Sequence, residues 1–151
     1  MDSQQEPPDP ARISNDVTDD GAFASVRDGY DAVYDALAGS ATFNRIWRSH
    51  AYNGEFPVEF AHIGFLTLGE ANRMLAAVQV GAGDTLVDVA CGGGGPGLWA
   101  AQQAGAMLVG VDPSAAGIGA ARERARDVGL DARSAFRAGN IRAHRAHRRA
   151  R

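Results

Sequence analysis

Residues 87–100 read VDVACGGGGPGLWA: an apolar run holding one acid, five glycines within six positions, and then the start of a helix. A packed core has no use for glycine at that density, so the backbone there must approach something closely. Such an approach is needed where a strand turns into a helix over a bound anionic group, because glycine adopts positive φ freely and carries no Cβ to hold a ligand away.

The pattern extends on both sides of this turn. DTLVDVA (84–90) reads as a buried strand, and Pro96 suits the first turn of a helix that runs from Leu98 to Ala104 and stops at Gly105. A second apolar strand, MLVGV (107–111), ends at Asp112. Ser114 can cap the next helix, whose apolar stripe is Ile118, Ala121, Ala125 and Val128 and whose stop is Gly129. RSAFRA (133–138) is a third strand, ending at Gly139–Asn140. Upstream, Ala71, Met74, Leu75 and Val78 recur at helical spacing from about Glu70, with Gly81 closing the helix. Strands and helices alternating through short connections predict an α/β fold with parallel strands and right-handed crossovers, in the order 3-2-1.

The N-terminal part has a different texture. The first twenty residues contain three prolines and six acids and almost no large apolar side chain, which predicts disorder over 1–20. Phe23, Val26, Tyr30, Val33 and Leu37 then form one helical stripe, with Asp19 or Asp20 as the N-cap and Gly39 as the stop. From Ser40 to Gly69 the sequence is aromatic-rich and aperiodic, predicting short helices and loops packed as a lid. The domain reading is thus a disordered 1–20, a helical lid segment over 21–69, a cofactor-binding half over 70–140 and a basic tail over 141–151.

Composition bounds the function. A chain of 151 residues with 45% hydrophobic and 22% charged residues reads as soluble and globular, without a membrane span or secretory signal, so the cytoplasm is the expected compartment. The single cysteine, Cys91, argues against disulfides and against a structural zinc site. Its side chain reads as a small buried filler rather than a nucleophile. Every basic residue is arginine. Residues 1–140 hold all 18 acids and ten of the 15 arginines, whereas the last eleven residues, IRAHRAHRRAR, hold five arginines and no acid.

Asp112, at the end of the second strand and about twenty residues beyond the first loop glycine, is placed to grip a ribose through its hydroxyls. With helix N-terminal amides favouring an anion, the implied ligand is a nucleoside carrying an anionic group. Gly92, Gly94 and Gly97 spell G-x-G-x-x-G, which admits a nicotinamide dinucleotide. Asp88, inside the strand four residues before the first glycine, argues otherwise: a buried carboxylate needs a donor, and an ammonium group on the ligand would serve.

GAGDTLVDVACGGGGPG followed by LVGVDPSAAGIGAARERARDVGL resembles the first half of the class I S-adenosylmethionine-dependent methyltransferases, over residues 70–140. The resemblance implies a Rossmann-like class I methyltransferase fold, here truncated to strands 3-2-1 behind an N-terminal helical lid. It implies S-adenosyl-L-methionine as cofactor. Asp88 and the backbone of Ala90, Cys91, Gly92, Gly93 and Gly94 would hold the methionine portion, and Asp112, followed by Pro113, the ribose. Asn140 stands where the family usually has an acid for the adenine amino group, and Ala90 stands where it commonly has glycine.

Methyl transfer from a sulfonium asks the protein chiefly to align the acceptor and exclude water. The lid offers His50 and His62 as bases and Tyr30, Tyr34, Trp47 and Tyr52 as walls, with no catalytic residue assigned. Its weakly basic character suits a small-molecule acceptor rather than nucleic acid. The expectation is therefore a methyltransferase acting on a small molecule, in a truncated or frame-shifted form of impaired activity, since the strands a full domain would add are not in the sequence. Two alternatives stay open: a fragment of an NAD(P)-dependent oxidoreductase, and a non-catalytic interaction or nucleic-acid module using the arginine-rich tail.

Overall fold

The computed structural model describes residues 21–38, 40–51 and 54–139. The expectations for residues 1–20, Gly39, Tyr52, Asn140 and the basic tail fall outside the described residues. Three strands, β1 (Thr85–Val89), β2 (Met107–Asp112) and β3 (Ser134–Ala138), form one parallel sheet in the order β1-β2-β3, which is the predicted 3-2-1 seen from the other edge. Five helices accompany them: α1 (Gly21–Ala38), α2 (Ala41–Ala51), α3 (Leu68–Val78), α4 (Gly95–Ala104) and α5 (Ala115–Asp127).

Local chemistry explains most element boundaries. The Ser114 hydroxyl accepts from Gly117 N at 2.9 Å and caps α5 as expected. Helix α3 starts two residues before the predicted Glu70. Thr67 is its N-cap, and Glu70 is the third helical residue of a capping box, its Oε2 accepting from Thr67 N at 2.9 Å while Thr67 Oγ1 accepts from Glu70 N at 3.2 Å. The helix ends at Gln79 in the left-handed region (φ 52°), before Gly81. Gly81 instead belongs to the turn into β1, where its N–H donates to Asp84 Oδ2 at 2.9 Å.

The sheet packs beneath α4 and α5 through Leu98, Trp99, Leu108, Ile118, Ala121 and Phe136, all buried. Gly110 on β2 pairs in register with Phe136 on β3, and a Cβ there would lie 2.7 Å from Phe136 Cε1 and 2.9 Å from Cys91 Sγ. Glycine at 110 is therefore what lets Phe136 and Cys91 share that face. The aperiodic segment after α2 contributes more than a lid: Phe56 and Phe60 are essentially solvent-free, and Phe56 meets Trp99 edge-on at 5.7 Å between ring centroids. Burying each stabilises the fold by about 2–3 kcal/mol. Their role is core packing, which no periodicity announced.

Helix α1 forms as predicted but turns a different face to the domain. Of the expected stripe, Val26, Tyr30 and Val33 are exposed to 53%, 51% and 42%, Leu37 is half-buried, and the Phe23 side chain lies outside what the structure describes. Ala24, Arg27, Asp31, Tyr34 and Leu37 line the half-buried face instead. That face is about one residue, or roughly 100°, around the helix from the apolar stripe. Polar contacts from Asp31 and Tyr34 to the domain explain the rotation.

Candidate cofactor-binding site

The loop after β1 is held by the neighbouring strand. Ala90 N and Cys91 N both donate to Val111 O, at 2.8 and 3.2 Å, and Gly94 N closes a turn onto Cys91 O at 2.8 Å. This geometry puts Ala90 at φ 62°, a left-handed conformation that costs an alanine about 1–2 kcal/mol relative to the right-handed one. Gly94 caps α4 at φ 73°, and beneath it Gly97 touches the strand acid, since a Cβ at 97 would overlap Asp88 Oδ2.

Asp112 is 8% exposed and both its oxygens are engaged. Gly92 N donates to Oδ2 and Ser114 N to Oδ1, each at 2.8 Å, so the carboxylate ties the loop after β1 to the loop after β2. Each oxygen keeps a second acceptor site, which leaves capacity for ligand hydroxyls. Pro113 lies half-buried beside it.

Asp88 is different. Its carboxylate is mostly buried against α4, and among the described residues no donor bonds it. Burial first, and then the Asp112 charge, push its pKa up to about 6. A cationic donor from a ligand would relieve both effects. Burial and the same two carboxylates push the Cys91 thiol up to about 12, so it stays protonated at neutral pH and fills space.

Two residues of α1 complete the site. Gly93 N donates to Tyr34 Oη at 2.7 Å, and a Cβ at Gly92 would overlap that hydroxyl. The close approach that the loop glycines permit is, in this structure, to Tyr34. Burial, opposed by the Gly93 N–H, raises the tyrosine's pKa, with Asp112 adding to the rise. Asp31 Oδ1 accepts from Ser114 Oγ at 2.5 Å and from Ala116 N at 3.2 Å, at the N-terminus of α5. Arg124 of α5 donates to Gly93 O from the other side.

The structure thus places Asp88 on β1, Ala90, Cys91, Gly92, Gly93 and Gly94 in the loop that follows it, and Asp112 and Pro113 at the end of the neighbouring strand, with Gly92 bonded to Asp112, while Asn140 lies outside the described residues. Asp31 and Arg124 were not anticipated, and Tyr34 was anticipated only as a wall. The three-residue spacing of Asp31 and Tyr34 puts them on one helix face, which is the trace they leave in the sequence. Of the two histidines, His50 is exposed at the end of α2, with Nδ1 2.9 Å from Ile46 O. His62 packs edge-on against Phe56, with 4.8 Å between ring centroids, and its burial lowers its pKa. Trp47 stacks on Phe43 at 5.8 Å, and Tyr30 is exposed. A separate apolar groove of about 290 Å³ lies between α3, α4 and β1. Its lining includes Asp88 but none of Gly92, Gly93, Gly94 or Asp112.

Residues 86–149 match the family described as methyltransferase domain. A curated relative, 27-O-demethylrifamycin SV methyltransferase of Amycolatopsis mediterranei (strain S699), is 29% identical over 108 residues, 72% of this chain and 38% of that protein. Among solved structures, geranyl diphosphate C-methyltransferase from Streptomyces coelicolor A3(2) is 34% identical, with a TM-score of 0.46, over 48% of this chain and 27% of that one. A methyltransferase from Geobacter sulfurreducens, solved with S-adenosyl-L-homocysteine, is 26% identical, with a TM-score of 0.45, over 49% and 30%. The chain therefore spans between about a quarter and two fifths of the length of these relatives. The strand acid Asp88, the glycine loop and the second-strand acid Asp112 all lie within the residues that match the methyltransferase domain family.

Proposed function

We propose that this chain binds S-adenosyl-L-methionine at the cleft formed by Asp88, the Ala90–Gly94 loop, Asp112 and Pro113, and that it serves methyl transfer to a small-molecule acceptor. The observation that carries the reading is Asp88: a half-buried carboxylate without a donor among the described residues, on the strand leading into the glycine loop, matches a ligand bearing an ammonium group. A nicotinamide dinucleotide has no such group to offer there, and the family match runs to methyltransferases.

The residues present fit the cofactor. Gly93 N, held by the Tyr34 hydroxyl in this structure, could turn to its carboxylate, Asp88 could meet its ammonium, and Asp112 its ribose hydroxyls through the acceptor sites that Gly92 and Ser114 leave open. The cofactor supplies an activated methyl on a sulfonium, so the chain's own work is to orient that group and keep water away. Phe56, Phe60 and Trp99 seal the domain beneath α4. A small acceptor is supported by relatives whose names specify a rifamycin derivative and geranyl diphosphate. A buried free thiol at Cys91 suits a reducing, cytoplasmic setting; no described helix is long and apolar enough to cross a membrane.

Calorimetric titration with S-adenosylhomocysteine and with NAD tests the reading. Saturable binding of S-adenosylhomocysteine, weakened at least tenfold in Asp88→Asn, supports it. Binding of NAD alone would overturn it in favour of the oxidoreductase alternative.

A further inference from the structure

Helix α1 sits across the proposed cofactor cleft on a polar face. Tyr34 Oη takes the Gly93 N–H at 2.7 Å, and its ring lies close enough to α5 that a Cβ at Gly117 would come within 2.9 Å of Cε2. Asp31 takes the Ser114 hydroxyl and the Ala116 amide, two donors at the N-terminus of α5. These contacts join residues 59 to 85 positions apart, and each engages a backbone amide or capping group on which an anionic ligand would depend. Meanwhile three apolar side chains of the same helix, Val26, Tyr30 and Val33, are left in solvent. Among the described residues, hydrogen bonds and a half-buried face of Ala24, Tyr34 and Leu37 hold the helix in this position, and a helix with so little fully buried apolar surface opens at low cost.

We infer that Asp31 and Tyr34 form a latch that closes α1 over the glycine loop, and that cofactor entry requires the latch to open because the Tyr34 hydroxyl occupies the Gly93 amide. The inference rests on the proposed binding of S-adenosylmethionine at this loop. Ligand and latch compete for one donor, so whatever weakens the latch strengthens the ligand by the same factor. Loss of one hydrogen bond in such a competition corresponds to about a three- to tenfold change in Kd.

The test uses the full chain and two variants, Tyr34→Phe and Asp31→Ala, with circular dichroism to establish that each is folded. Without ligand, hydrogen exchange of the α1 amides should quicken several-fold in both variants; unchanged exchange in folded variants overturns the latch whatever the ligand result. Titrated with S-adenosylhomocysteine, both variants should bind about three- to tenfold more tightly than the wild type, and the α1 amides of the wild type should lose protection on saturation. Equal or weaker binding by the variants, or increased α1 protection on saturation, overturns the inference and makes Tyr34 a contact of the bound ligand. Quickened α1 exchange with no S-adenosylhomocysteine binding by any of the three proteins establishes the polar docking of α1 but overturns both the cofactor reading and the competition built on it.

Discussion

Replacing Asp88 with asparagine should stabilise this protein at neutral pH while damaging its proposed ligand site. In the folded chain the Asp88 pKa rises from its ordinary 3.8 to about 6, first through burial and then through the Asp112 charge. A shift of about two units corresponds to roughly 3 kcal/mol of linkage free energy. Because the folded pKa is the higher one, the protonated acid's contribution is fully present below about pH 4, is lost as pH rises through 6, and is absent at pH 7.5. Asparagine keeps the shape and removes the charge, but its amide would lack a partner, offsetting about 1–2 kcal/mol. The expected net gain at pH 7.5 is about 1–2 kcal/mol, an increase in melting temperature on the order of 5 °C, shrinking to nothing or reversing near pH 4.5. Urea denaturation of both proteins between pH 4 and 8 measures the difference directly, and using the difference removes groups such as Glu70 that titrate in both. A variant less stable than wild type at pH 7.5, or a difference independent of pH, would mean that Asp88 is already paired and would remove the ground for an ammonium-bearing ligand.

Ala90→Gly should relieve the left-handed alanine, raising stability by about 0.5–1 kcal/mol after the greater chain entropy of glycine is counted; thermal denaturation reads it, and a loss of stability would show the alanine methyl to be packed. Gly97→Ala drives a methyl into Asp88 Oδ2 and should cost about 2 kcal/mol or more in chemical denaturation. Asp112→Asn removes charge from the acceptor of two loop amides and should cost about 1–3 kcal/mol; it should also shift the Asp88 titration downward, observable by carbonyl NMR as a midpoint below that of wild type. Phe56→Ala should cost about 3–5 kcal/mol by opening a cavity beside Trp99, which a urea midpoint shift at constant slope would register.

The strand-turn-helix order was legible because its determinants are local. Ser114 caps, Pro96 starts a helix, and apolar runs bounded by glycine become strands whichever way the rest of the chain folds. The same locality placed Asp88 inside β1 and Asp112 at the end of β2, since a parallel sheet puts successive strand ends on one side. Boundaries slipped where two local devices competed: the Thr67–Glu70 capping box outranked the start of the apolar stripe, and Gln79 ended α3 ahead of Gly81.

What the sequence by itself determined is a parallel three-stranded α/β unit with a glycine loop between two acids. Tertiary structure alone decided which face of α1 docks and that Phe56 and Phe60 enter the core. The physical reason is distance along the chain. A helix's rotation depends on what meets it, and the partners of Asp31 and Tyr34 lie 59 to 85 residues away, where hydrogen bonds to a loop and a helix N-terminus outweighed the apolar stripe that periodicity detects.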